Sequence, residues 1–158
     1  MKTLQTILVI SLLTLFSCSE NNTQKEQNET DEILQVFENV VKGNDYNLVN
    51  QHFISEEHLR TMPGFEGMDF KQGLKVHIDM VRENIADFCK ELSEKGIDTT
   101  KFSLKDYSIR IGPNSKIERK YILDFKANNL NYQAMGIVLD NHTQKVSFGL
   151  DFDAKLKR

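Results

Sequence analysis

The sequence predicts an α+β domain in which N-terminal helices pack on one face of a curved antiparallel sheet of about four strands. Two observations carry the prediction. Apolar residues recur at helical spacing as far as Lys95, then at alternate positions from Tyr107 to Phe152. The alternating runs are separated by short Gly, Pro, Asn and Asp segments, which suit hairpin turns and leave no room for the long crossovers of a parallel sheet. Helices before strands, rather than interleaved with them, place a helical layer on a sheet.

The chain opens with Lys2, an apolar run from Ile7 to Phe16, and small Ser17 before Cys18. A charged residue, a short apolar stretch and a small residue form the layout of a cleavable secretion signal. The run is shorter than the roughly 20 residues of a membrane-spanning helix. Leu15-Phe16-Ser17-Cys18 resembles a bacterial lipobox, with Phe16 departing from the small residue usual at its place. The resemblance implies that signal peptidase II cuts before Cys18 once its sulfur carries a diacylglyceryl group, so the mature chain begins at a fatty-acylated cysteine, palmitate being a typical chain. Removing Met1–Ser17 leaves 141 of the 158 residues. Two or three acyl chains make a stable anchor where one does not. Ser19, rather than Asp, follows the cysteine, which by the family's sorting rule implies the outer membrane of the cell envelope.

Ser19 to Glu29 contains no apolar side chain and is expected to be a disordered tether. The predicted organisation is therefore a signal peptide over 1–17, the lipidated cysteine and tether over 18–30, and a single α+β domain over 31–158. Thr30 or Asp31 should cap the first helix, with Ile33, Leu34, Phe37, Val40 and Val41 on its apolar face and Gly43 ending it. Asn44 or Asp45 then caps a second, shorter helix with Tyr46, Leu48, Val49 and Phe53. Ser55 to Met62 suits one more turn. Pro63 to Met68 reads as a loop whose Phe65 and Met68 must find cover, either as plugs at one end of the core or as a flap over a pocket. Asp69 caps the longest helix, which runs to Lys95 on a stripe from Phe70 to Leu92, and Gly96 stops it with Ile97 closing back on Leu92.

The strand half follows. Tyr107, Ile109 and Ile111 alternate with polar residues, Gly112-Pro113-Asn114-Ser115 turns, and Tyr121, Leu123 and Phe125 alternate again. Asn128-Asn129 suits a tight hairpin because asparagine tolerates positive φ. Leu130 to Leu139 is apolar on both faces around Ala134-Met135-Gly136-Ile137, as expected of a central strand or of one that meets a partner. A homodimer through the sheet would then use Met135, Ile137 and Leu139. In the last strand Val146, Phe148, Leu150 and Phe152 should face the core, and Ser147, Gly149, Asp151 and Asp153 should face outwards.

Two stretches, Lys42-Gly43-Asn44-Asp45-Tyr46 and the final L-N-Y-Q-A-M-G-I-V-L-D-N-H-T-Q-K-V-S-F-G-L from Leu130, carry a likeness to a known family. With the order of elements, they resemble the nuclear-transport-factor-2-like (SnoaL-like, cystatin-like) cone domains. The resemblance spans about Asp31 to Phe152. It implies a curved sheet and helices around a tapering cavity, used for isomerase or dehydratase chemistry in some members and only for binding or assembly in many. The Asp with a His or Tyr partner of the enzymatic members has no match at particular positions here.

The chemistry-bearing residues are few. His52, His58, His77 and His142 lack metal-ligand spacing, and with Cys18 acylated, Cys89 on the buried stripe of the long helix is the one remaining thiol. No metal and no cofactor is expected, and no catalytic residue is assigned. His77 borders the apolar stripe and could act as a base inside a cone, or be a hydrogen-bonded core-margin residue. Asp140, Asp151 and Asp153 could offer oxygen ligands to a cation, or form a solvated face. A net charge of −3 gives no electrostatic reason to seek nucleic acid. The expected function is that of a membrane-anchored envelope lipoprotein whose domain binds a small apolar ligand or an envelope protein without catalysis. Phe65, Met68 and His77 are its candidate pocket-lining residues. The alternatives are a small isomerase or hydratase working through His77, and a structural or inhibitory partner-binding module.

Overall fold

The computed structural model describes residues 2–67, 69–113 and 119–158, with side chains from Thr23 onwards. Met68 and the Asn114-Ser115 part of the predicted turn lie outside the described residues.

The first helix, α1 (Lys2–Gly43), does not begin at Thr30 or Asp31. It runs without a break through the stretch expected as a tether. The polarity of that stretch rules out a core but not a helix, since Gln, Lys and Glu are good helix formers. Thr30 is buried and its hydroxyl donates to the Glu26 carbonyl at 2.8 Å. Glu26 in turn accepts from the Tyr121 hydroxyl at 2.5 Å and pairs with Arg119, so this polar stretch of the helix is docked by hydrogen bonds rather than by apolar burial. The folded unit thus reaches back at least to Glu26.

At the other end, α1 stops at Gly43, with Asn44 in the left-handed region at φ 52°. Asp45 accepts from the Asn47 N–H at 3.1 Å and starts a 3₁₀ turn, Tyr46–Gln51, where the sequence suggested a short α-helix. Ser55 caps α2 (Glu56–Arg60) by accepting from the His58 N–H at 3.1 Å. Asp69 caps α3 (Phe70–Glu94), accepting from the Gln72 N–H at 2.9 Å. Gly96, at φ +73°, closes α3 while the Ile97 N–H donates to the Leu92 carbonyl at 2.9 Å, as the sequence predicts. Replacing Asp69 by alanine leaves that first-turn N–H to water and should cost about 1 kcal/mol, read as a lower urea midpoint at unchanged slope. A midpoint equal to wild type would show the cap to be redundant.

Strands β1 (Tyr107–Ile111), β2 (Arg119–Ala127), β3 (Leu130–Asp140) and β4 (Lys145–Leu156) form one antiparallel sheet in the order β1-β2-β3-β4. Asn128 and Asn129, at φ 48° and 66°, make the tight β2–β3 hairpin. The sheet is open, with β1 and β4 as its two edges, rather than rolled into a closed cone. The result is a small α+β domain with N-terminal helices on a four-stranded antiparallel sheet, compatible at most with a generic nuclear-transport-factor-2-like type.

The apolar stripes of α1 and α3 meet the inner face of the sheet. Phe37, Phe88, Phe125, Tyr132, Phe148 and Phe152 are each no more than 3% exposed. Their rings touch in sequence across the space between helices and strands: Phe37 to Phe88 at 6.0 Å, Phe88 to Tyr132 at 5.4 Å, Phe37 to Phe152 at 5.7 Å. The first pair is stacked and the other two are edge-to-face, and such contacts add to the burial of the rings themselves.

A second, smaller cluster of Ile54, Leu59, Val138 and Leu150 lies on the other side of β3, bordered by Phe53, Met62, Phe65 and Phe70. This corrects two expectations. Leu150 packs there and not in the main core, and Ser147 is buried rather than outward in solvent, because the segment from Phe53 to Phe70 covers that face. The second apolar face of β3 is therefore met by this chain's own α2 region. Ile137 and Leu139 belong to the helix-side core, so a dimer contact through Met135, Ile137 and Leu139 has no free surface at the latter two.

The change of face comes from a bulge. Met135 pairs with Asp153 and Ile137 pairs with Phe148, so Gly136 alone stands opposite the four residues Gly149 to Phe152. Gly136 sits at φ +91°, and a Cβ there would lie 2.5 Å from the Phe152 Cα.

Candidate functional site

A close set of ionisable groups lies where α2 meets the β3–β4 turn. Asp140 ends β3 and is fully buried. Its Oδ2 accepts from the Ser55 N–H at 2.6 Å, and its Oδ1 accepts from the N–H groups of His142 at 2.8 Å and Thr143 at 3.3 Å. The His58 ring, also buried, brings Nδ1 to 3.3 Å from the same Oδ1. His142 stacks edge-on against His58 with 6.2 Å between ring centres, and its Nδ1 lies 3.8 Å from Glu57. Burial by itself would raise the Asp140 pKa. The Ser55 N–H and hydroxyl and the two turn N–H groups outweigh it, so the carboxyl is held below its usual value.

Ser, His and Asp side chains thus meet here, but in a structural arrangement. The Ser55 hydroxyl accepts from the backbone N–H of His58 and gives its own proton to Asp140, a carboxylate too weakly basic to activate it. What the arrangement does is tie α2 to the β3–β4 turn. The sequence shows both local halves, a serine cap and an Asp-led turn, but no periodicity signals that they share a carboxylate.

Of the predicted pocket-lining residues, Phe65 and His77 do come together, with ring centres 5.3 Å apart, beside the second apolar cluster. Met68 lies outside the described residues. His77 is half-buried, and burial pushes its pKa down against the opposing pull of a hydrogen bond to the Leu150 carbonyl and the charge of Asp151. Asp140 and Asp153 do not converge on a cation site, because the register sets Asp140 opposite Lys145 and Asp153 opposite Met135, where it pairs with Lys155. Cys89 is 6% exposed, its thiol raised by burial despite a hydrogen bond with Tyr46, in keeping with an inert core residue. The side chain of Cys18 is outside the described residues.

The surface is more varied on the β1 side. Between α1 and the first two strands runs an open groove of about 460 Å³, with Ile109 and Ile111 as floor, Thr23, Gln27 and Thr30 as one wall, and the Glu26–Arg119–Tyr121 group at its head. The Tyr121 phenol is pushed up to about 12, first by burial and then by the Glu26 carboxylate. On the opposite face, Asp124 receives Arg110 at 2.8 Å, Gln133 at 3.0 Å and Lys157 at 3.0 Å, which hold its carboxyl well below the usual range. Tyr107 and Ile111 of β1 are large apolar side chains left 39% and 52% exposed.

Among the described residues no helix is long and apolar enough to cross a membrane, and no group of three or more His, Cys, Asp and Glu side chains is placed to hold a metal ion. Comparison with family models, with curated proteins and with solved structures yields no match to this chain.

Proposed function

We propose that this chain is an envelope lipoprotein, held at the membrane, most simply the outer membrane, through acylated Cys18, and that its domain works by binding at its surface rather than by catalysis. The observation that carries the binding half is the ring network from Phe37 to Phe152. In a cone-shaped relative the space between helices and sheet would hold a ligand; here seven buried rings, Phe102 among them, occupy it. With the interior filled, recognition of an envelope protein or an apolar ligand passes to exposed features such as the β1 groove. The anchor half rests on Leu15-Phe16-Ser17-Cys18.

Both halves are open to test in a bacterial host. With radiolabelled palmitate, the wild-type chain should take up label and sediment with membranes, whereas Cys18→Ala should do neither. Equal labelling of the two would remove the anchor. For the binding half, native mass spectrometry of the full chain in mild detergent should show no adduct enclosed by the domain. A small molecule that survives detergent removal and leaves only on unfolding would overturn the filled interior.

A further inference from the structure

The two edges of the sheet are finished differently. At β4 the Phe148 N–H is taken by the His52 carbonyl at 2.7 Å, and Phe53 bridges to Phe148 in parallel. The β1 edge has no such strand beside it among the described residues, and it carries neither a proline nor a bulge within Tyr107–Ile111.

The hydrogen bonds to β2 fix which β1 residues are free. The Gly112 N–H donates to the Lys120 carbonyl at 2.8 Å, and the Lys126 N–H donates to the Asp106 carbonyl at 3.2 Å. Hydrogen-bonded pairs in an antiparallel ladder recur at every second residue. Asp106, Ser108, Arg110 and Gly112 therefore turn their backbone groups to β2, while Tyr107, Ile109 and Ile111 turn theirs away from it. The side chains of these three lie on the helix-side face, Ile109 packed against the core and its two neighbours exposed.

The geometry points to a second copy of this chain as the occupant of the β1 edge, paired antiparallel about a two-fold axis at Ile109. That register sets Tyr107 opposite Ile111 of the second copy, and Ile111 opposite its Tyr107, so each exposed apolar side chain covers the other. All three outward residues fall at hydrogen-bonded positions, which allows about six new N–H···O bonds. On the other face Asp106 lies diagonal to Arg110 of the second copy, an opposite-charge pair formed twice, and no like charges stand directly opposite. Five residues per copy make a contact well below the roughly 1,600 Å² of a standard interface, so the dimer is concentration-dependent. It requires neither the lipid anchor nor the binding role proposed above.

The test is sedimentation equilibrium and native mass spectrometry of the full chain in non-ionic detergent over a range of concentrations. Wild type should pass from monomer to dimer. Tyr107→Lys combined with Ile111→Lys places lysines opposite one another at both ends and should stay monomeric at every concentration that dimerises wild type. Because both positions are exposed, its thermal midpoint should match wild type, which separates lost pairing from lost folding. Tyr107→Glu combined with Ile111→Lys sets opposite charges in the same register and should restore the dimer. A wild-type chain that remains monomeric, a double-lysine variant that dimerises normally, or a Glu/Lys variant that stays monomeric would each overturn the pairing. The same spectra read the acyl mass on Cys18 independently, so loss of the anchor reading and loss of the dimer are told apart.

Discussion

Gly136→Ala is expected to be among the most damaging single substitutions in the domain, costing at least about 3 kcal/mol, a large share of the 5–15 kcal/mol that holds a typical domain together. Two effects add. The residue sits at φ +91°, where an L side chain is strained, and its new Cβ would lie 2.5 Å from the Phe152 Cα and 2.7 Å from the Phe152 N. Both of those atoms are backbone, so no rotamer change relieves the contact. Relief would need β4 to move away from β3, and with it Phe152, which touches Phe37 and Phe148 in the core. Thermal unfolding followed by circular dichroism should show the midpoint falling by roughly ten degrees, since a domain of this size lies between the about 4–8 °C per kcal/mol of smaller domains and the about 2–4 °C of larger ones. A fall of only a degree or two would mean that the bulge can be rebuilt around a side chain. Gly149→Ala should also destabilise, since its Cβ would meet the Gly136 carbonyl oxygen at 2.7 Å, but without the positive-φ strain.

The second large effect belongs to Asp140. Asp140→Ala should cost about 3–5 kcal/mol, because the part-buried Ser55 N–H and hydroxyl and the N–H groups of His142 and Thr143 all lose the fully buried carboxylate that accepts from them. The carboxyl also makes stability depend on acid. Its folded pKa lies below the unfolded value of 3.8, so its contribution is complete above that value and is lost as pH falls through the folded one. Asp140→Asn keeps the shape but cannot titrate. The difference in urea-derived stability between wild type and the Asn variant should therefore be largest near pH 6–7 and shrink as pH falls below 3.8 and through the folded value. A difference that is constant across this range would assign the Asp140 contribution to shape rather than to charge.

Local signals in the sequence are read correctly where they are complete in themselves. Asp69 caps a helix, Gly96 and Ile97 close it, and Asn128-Asn129 turns a hairpin, because each needs only neighbours within a few residues. The four-strand meander follows from alternation between such turns. What escapes is settled at a distance. The stretch from Thr23 to Glu29 looks unfit to fold because it is polar, yet Glu26 is held by Arg119 and Tyr121 from β2. Leu150 shares the alternation of Phe148 and Phe152, and only the bulge at Gly136, together with the cover supplied by Ile54 and Leu59, sends it to the other face. Phe65 and His77 adjoin at a ring distance of 5.3 Å, a contact that their separate loop and helix patterns do not announce. The Asp140 knot was not legible either, since a turn aspartate and a cap serine look the same whether or not they meet.

The pairing of α1 with β4 also sets an order of events during biosynthesis. Phe37, among the early residues to be made, is buried against Phe152, among the late ones. A ribosome delivers the chain from its N-terminus, so the stripe of Ile33, Phe37, Val40 and Val41 has no complete surface to close on until the final strand has emerged. The domain therefore closes no earlier than the emergence of β4.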